Sequence, residues 1–226
     1  MNLPAAELAH HEMESACFLG LELLVGPDVL VPRSETELLG REAIRLLQSL
    51  RGAPKVIDMC CGSGNLALAI ASHVHSARVW GSDLTDSTVR TALANVRRLG
   101  LEERVSVAQG DMFLPLRGSG LEEATDLVVS NPPYFSTSRL EGQRAELLEK
   151  EPREAFDGGP YGIAILQRVI NDARDFLRTG GWIAFEFGLG QERQVAALVQ
   201  RARAYGDLTM VNDAAGRPRV ALATKL

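Results

Sequence analysis

Short apolar runs alternate along this chain with longer stretches in which apolar residues recur every three or four positions. Lys55-Val56-Ile57-Asp58, Arg78 to Asp83, Val105 to Asp111, Asp126 to Ser130, Trp182 to Phe187 and Arg219 to Thr224 read as strands, with a weaker one from Leu208 to Asn212. Between them the 3.6-residue period predicts helices. The first carries Leu38, Leu39, Ala43, Leu46, Leu47 and Leu50 on one face, with Ser34 and Glu37 spaced as a capping box. The others are Leu66 to Val74, a helix opened by Asp86-Ser87-Thr88 and closed by Gly100, Ile163 to Leu177 ending at Gly180-Gly181, and Gln191 to Ala204. Strand and helix taking turns in this way predict an α/β fold, a doubly wound, Rossmann-like parallel sheet with helices on both faces.

The amino-terminal part is expected to be an accessory. Leu3, Ala6, Leu8, Met13, Ala16 and Cys17 suggest an amphipathic helical arm over residues 1–20, followed by two extended segments turning at Gly26-Pro27-Asp28. A polar, irregular stretch from about residue 135 to Tyr161 is long enough to be a functional loop over a site. The whole reads as one domain, 1–226, with 1–31 as arm and hairpin and 32–226 as core.

Composition narrows the function. The net charge of -5 argues against a broad phosphate-binding face, so nucleic acid is disfavoured as a partner. No apolar run is long enough to span a bilayer and the first residues lack a signal-peptide pattern, so the expectation is a cytoplasmic protein. Three cysteines, two of them adjacent at Cys60 and Cys61, give neither a disulfide framework nor a zinc spacing, and no metal site is expected.

The most informative stretch is Asn131-Pro132-Pro133-Tyr134 at the end of the fourth core strand. The prolines hold Asn131 and Pro132 extended and remove an N–H, so the turn presents acceptors: the Asn131 side-chain carbonyl and its neighbouring backbone carbonyls. A planar NH2 group could donate both hydrogens there while Tyr134 forms an aromatic wall. Such an arrangement suits alkylation of an amide or amine nitrogen.

Successive strands end in Asp58, Asp83, Asp111 and Asn131, and open α/β sheets bind ligands at the carboxyl ends of their strands. Cys60-Cys61-Gly62-Ser63-Gly64 turns the first strand into its helix, and its glycines let backbone approach a ligand. Gly62-Ser63-Gly64-Asn65-Leu66-Ala67 also fits a dinucleotide pattern formally, so an NAD-type oxidoreductase is an alternative, as is a non-catalytic binding module. Charge favours another ligand. Asp58 would repel an anionic pyrophosphate but favour the cationic S-adenosylmethionine, with Asp83 toward its ribose, Asp111 and Met112 by its adenine, and Leu84 also among the expected cofactor-binding residues.

On Pro27 to Glu37, Asp58 to Ala69, Asn131 to Tyr134, Glu151-Pro152-Arg153 through Asp157-Gly158-Gly159, and Gly216 to Val220, the chain resembles the release-factor glutamine methyltransferases, the HemK/PrmC family. The resemblance implies a seven-stranded methyltransferase fold whose last strand is antiparallel. It places S-adenosylmethionine against Cys60 to Gly64, Asp83, Met112 and Asn131, and an acceptor amide on Asn131 and Pro132, packed by Tyr134. The partner it implies is a release factor, or another protein bearing an acceptor glutamine, or a small-molecule acceptor. Longer members carry an amino-terminal helical domain, where here about 20 residues precede the expected hairpin. Cys60, Ser34, Met112 and Tyr161 stand where the family usually has glycine, proline, an aromatic and an acid.

Overall fold

The computed structural model describes residues 13–26, 28–142, 144–149 and 151–226. Its centre is a seven-stranded sheet in the order β5-β4-β3-β6-β7-β9-β8, comprising β3 (Lys55–Met59), β4 (Arg78–Asp83), β5 (Val105–Gln109), β6 (Thr125–Ser130), β7 (Leu177–Glu186), β8 (Thr209–Asn212) and β9 (Pro218–Thr224). Six strands run in one direction, and β9 alone lies antiparallel, between β7 and β8. A chain crossing from β3 outward to β4 and β5, then back to β6, reverses its strand order between β3 and β6. That reversal opens the crevice in which the site lies.

Successive strand residues supply opposite faces, so the sheet has two cores. Val56, Val129, Ala184 and Leu222 point toward α1 (Glu37–Gln48), α2 (Asn65–His73) and α3 (Asp86–Arg98). Ile57, Val128, Ile183 and Ala223 point toward α5 (Ala164–Phe176) and α6 (Glu192–Ala202). The short α4 (Thr137–Glu141) belongs to the segment after the Asn-Pro-Pro-Tyr turn. Among the described residues no helix is long and apolar enough to cross a membrane, and no cluster of three or more His, Cys, Asp or Glu could hold a metal ion.

The amino-terminal expectations need correction. Residues 1–12 and Pro27 lie outside the described residues, but Glu14–Phe18 is a strand, β1, paired antiparallel with β2 (Leu21–Val25). The β1–β2 hairpin turns at Leu19 (φ 47°) and Gly20 (φ 81°), both left-handed as a tight two-residue turn demands, whereas the expected turn at Gly26-Pro27-Asp28 includes Pro27, outside the described residues. Phe18, Leu23 and Val25 are buried while Ser15 and Cys17 are exposed. A period of two fits these positions; Met13, Ala16 and Cys17 do not make a buried helical face.

Three further boundaries shift. Ser34 does not cap the first helix: its hydroxyl meets Glu35, and Ser34–Thr36 forms a short 3-10 turn, while Glu37 accepts the Leu19 backbone N–H at 3.0 Å. Thr85, not Asp86, caps α3, accepting the Thr88 N–H. Helix α5 ends at Phe176, and Gly180-Gly181 sits within β7, where the pairing jumps from Thr125↔Leu177 to Leu127↔Trp182. A side-chain carbon at Gly181 would lie 2.9 Å from the Thr125 carbonyl, so the glycine serves close strand approach.

Asn95 ties the hairpin to the core. Fully buried, it accepts from the Leu24 N–H (2.7 Å) and donates to the carbonyls of Leu24 (2.8 Å) and Ser63 (3.0 Å). Asn95→Ala strands these groups at a cost of about 3 kcal/mol, so the melting temperature is expected to fall by about 6–12 °C. Thermal unfolding followed by circular dichroism checks this, and a fall under about 2 °C contradicts it.

Candidate active site

Strand β3 leaves the sheet through Cys60 (φ 59°), Gly62 (φ 56°) and Gly64 (φ 82°), three left-handed residues that fold the chain back into α2. A side chain at Gly62 would meet nothing within 4 Å, since it would project into a cavity; one at Gly64 would press on Leu68 and Ala92 at 3.2 and 3.4 Å, so α2 and α3 pack close there. The Gly62 N–H donates to Asp83 Oδ2 at 2.9 Å and the Leu84 N–H to Asp83 Oδ1 at 2.8 Å, fixing that carboxylate at the end of β4. Burial raises its pKa above the ordinary carboxylate range.

Asp58 lies beneath this turn. It is fully buried, its Oδ2 accepts the Ala67 N–H at 2.9 Å, and its Oδ1 has no hydrogen-bond partner. Burial first, and the Asp83 charge in addition, push its pKa up to about 8 against the helix N–H that lowers it. Burial, with Asp83 and Asp58 alongside, also pushes the Cys60 thiol up, so Cys60 is a neutral wall and not a nucleophile.

Over the turn opens a cavity of about 340 Å³ lined by Cys60, Gly62, Asp83, Leu84, Asp111, Met112, Asn131 and Arg168 among others. Seven of the expected cofactor residues thus share one space. Asp58, Cys61, Ser63 and Gly64 sit behind its wall, outside the lining. Strand β5 stops at Gln109, so Asp111 stands in the following turn, exposed and bonded to Arg168 at 2.8 Å, which holds its carboxyl below the usual range. Met112 (φ 54°) turns its carbonyl to the Ser82 hydroxyl at 2.8 Å. A cleft with the Asp83 carboxylate at the end of its second strand, and the Asp58 carboxyl with its partnerless buried oxygen behind the glycine turn, fits a cationic ligand with a ribose and not an anionic pyrophosphate.

A second cavity, of about 610 Å³, meets the first at Leu30, Asn131 and Ala155. Pro132 and Tyr134 line it, so the structure brings the Asn-Pro-Pro-Tyr residues to the wall between the two spaces. Asn131 Nδ2 donates to Thr36 Oγ1 at 3.0 Å, and its Oδ1 is buried without a partner. Thr36 donates to Glu186 Oε2 (2.8 Å), while Tyr134 OH (3.0 Å) and Arg219 (2.8 Å) both donate to Glu186 Oε1. Burial and the Glu186 charge hold the Tyr134 phenol protonated. Behind the turn, side chains at Gly158 and Gly162 would strike the carbonyls of Pro133 and Tyr134 at 2.7 and 2.5 Å, so the Asp157-Gly158-Gly159 segment braces it directly.

Thr36, Glu186 and Glu151 carry no site role in the sequence reading, although Thr36 and Glu151 fall within the family-like stretches. Glu186 was visible as a carboxylate inside an apolar strand. Glu151 pairs with Arg33 and accepts the Val31 N–H at 2.9 Å, joining two loops that supply Leu30 and Ala155 to both cavities. Glu151→Ala is expected to raise the dissociation constant for S-adenosylmethionine by about three- to tenfold, the worth of a charged hydrogen bond. Calorimetry reads it, and an unchanged constant contradicts the bracing role.

Sheet order, glycine turn and Asn-Pro-Pro-Tyr turn define an S-adenosylmethionine-dependent class I methyltransferase. Residues 51–216 match the family model described as a methyltransferase domain. Release factor glutamine methyltransferases from Moorella thermoacetica and Gloeobacter violaceus are 37% and 38% identical to this chain over 206 and 200 residues, covering 91% and 88% of it and 71% and 68% of their own lengths. The chain belongs to the release factor glutamine methyltransferase family. Solved structures with the same fold include the hMettl16 catalytic domain in complex with a MAT2A 3'UTR hairpin (TM-score 0.66, 14% identity, 91% of this chain and 76% of that one). Another is P. horikoshii TYW2 in complex with MeSAdo (TM-score 0.60, 16% identity, 94% and 71%).

Proposed function

We propose that this methyltransferase acts on the side-chain amide nitrogen of a glutamine presented by a protein, a peptide chain release factor in the first instance. The observation that carries the reading is the buried, partnerless Asn131 Oδ1 at the junction of the two cavities. Relatives that are 37% and 38% identical to this chain over 206 and 200 aligned residues are named for that activity.

The smaller cavity holds the cofactor, with Asp83 toward its ribose hydroxyls and the Asp58 carboxyl behind the glycine turn, which ionises as the cationic ligand binds. S-adenosylmethionine, when bound, supplies an electrophilic methyl group on a cationic sulfur. The acceptor enters from the larger cavity. Asn131 Oδ1 and the Pro132 carbonyl accept the two amide hydrogens, and Tyr134 packs against the amide plane. An amide lone pair is delocalised and a weak nucleophile, so holding the nitrogen in line matters most. Acceptors drawing on its hydrogens then stabilise the positive charge that develops on it. Glu186, the buried carboxylate of this cavity, has both oxygens committed to hydrogen bonds, which leaves it a scaffold and not a base.

Incubating the purified protein with a release factor and labelled S-adenosylmethionine, then mapping the label by mass spectrometry, tests the reading. A methyl group on one glutamine is expected. No transfer to a factor that an active relative methylates in parallel rejects it.

A further inference from the structure

An asparagine amide can present either its oxygen or its NH2 to a ligand after a half-turn, and the two ends have opposite hydrogen-bonding character. In this site the choice is made two residues away. Glu186 is 1% exposed and sits against the Arg219 guanidinium, so as a carboxylate it offers acceptors and no hydrogen. The single hydroxyl hydrogen of Thr36, itself buried, is therefore taken up by Glu186 Oε2 at 2.8 Å. The Thr36 oxygen can then only accept, and what faces it at 3.0 Å is the Asn131 NH2. With that end held, Oδ1 points away from Thr36, buried and without a partner. A buried acceptor so placed welcomes a group that carries hydrogens and penalises one that carries only lone pairs.

We propose that Glu186, acting through Thr36, is the positioning device that makes this site choose an amide over the isosteric carboxylate, glutamine over glutamate. The inference rests on the function proposed above and adds the residues that set its selectivity. Sites that require a ligand hydrogen reject analogues lacking it far more strongly than sites that merely miss a methylene, because their own polar groups are left unpaired. If the Asn131 amide turned over, its NH2 would face the acceptor nitrogen, unproductive for glutamine and favourable for glutamate.

Thr36→Val keeps the side-chain shape and deletes the hydroxyl, while Thr36→Ser keeps the hydroxyl. With a glutamine peptide as acceptor, Thr36→Val is expected to lower kcat about 10- to 100-fold, with the S-adenosylmethionine dissociation constant within about twofold of wild type. Thr36→Ser should stay within about threefold of wild type in kcat. The second readout is binding: the wild-type preference for the glutamine peptide over its glutamate counterpart, measured by competition, should shrink at least about fivefold in Thr36→Val and not in Thr36→Ser. If Thr36→Val does not fold, Glu186→Gln reads the same quantity, since its NH2 can donate to Thr36 and free the hydroxyl hydrogen to turn Asn131 over. Wild-type kcat and peptide preference in the folded variant, or equal losses in Thr36→Val and Thr36→Ser, overturn the inference. Absence of transfer by the wild-type protein to any glutamine peptide overturns the proposed function and this inference with it. Transfer by wild type matched by Thr36→Val overturns the inference alone.

Discussion

Asn131→Ala is expected to lower methyl transfer by about a thousandfold while leaving the protein folded and its affinity for S-adenosylmethionine within about fivefold of wild type. The asymmetry follows from where the side chain stands. Asn131 lines both cavities, but the first has many other walls, among them Cys60, Gly62, Asp83 and Met112. Its Oδ1, by contrast, is an orphan acceptor for which the fold supplies no donor. Removing it takes away both the in-line placement of the nitrogen and one of the two oxygens that draw on its hydrogens as charge develops. Stability changes little, because the variant strands only the Thr36 oxygen, which keeps its bond to Glu186. Single-turnover kinetics alongside calorimetric titration of the cofactor separate the two effects. Transfer reduced less than about tenfold, or an equal loss of cofactor binding, means the acceptor is held elsewhere.

The parts of this site that a reader of the sequence can find are those written in adjacent residues. The strand that discharges into Asn131-Pro132-Pro133-Tyr134, the glycine turn after Asp58 and the carboxylate ending the next strand each carry their own local signal, and the sheet gathers them at one edge. The apolar periodicity from Lys55 to Thr224 is strong because both sheet faces are covered, so strand and helix patterns differ sharply. The network behind Asn131 has no such signal. Thr36 and Glu186 are 150 residues apart and meet only because α1 begins where β7 ends, at the same crevice. Ser34 and Glu37 have a capping spacing, yet other partners claim both, Ser34 its neighbour Glu35 and Glu37 the Leu19 N–H of the hairpin turn. The hairpin was misread because Met13, Ala16 and Cys17 mimic a helical stripe, whereas what decides the matter is the left-handed turn at Leu19-Gly20.

Cofactor affinity is expected to rise with pH, by about fifty-fold between pH 6 and pH 8, and Asp58 is the group responsible. Free of ligand, its carboxyl is fully buried and its pKa stands at about 8, against an ordinary value of 3.8, because burial penalises the charge and Asp83 adds repulsion. A cationic ligand in the cavity in front of it opposes that balance through its positive charge, so binding favours the ionised form and expels a proton. The first unit of acid below pH 8 then costs about fivefold in affinity and the next about ninefold, since at pH 6 about one molecule in a hundred has the group already ionised. The same shift predicts an opposite trend for the ligand-free protein. A carboxyl whose folded pKa is raised contributes most to stability below its ordinary value and loses that contribution as pH climbs toward about 8, so the wild-type melting temperature should fall between pH 6 and pH 8.5 and recover on adding S-adenosylmethionine. Asp58→Asn, neutral throughout, is expected to bind more weakly than wild type at pH 8, with an affinity that no longer varies with pH. Titration calorimetry in buffers of different ionisation enthalpy counts the proton directly. A wild-type affinity that is flat from pH 6 to 8, with no proton released, removes Asp58 from the cofactor's electrostatic field and leaves its empty oxygen without a ligand to explain it.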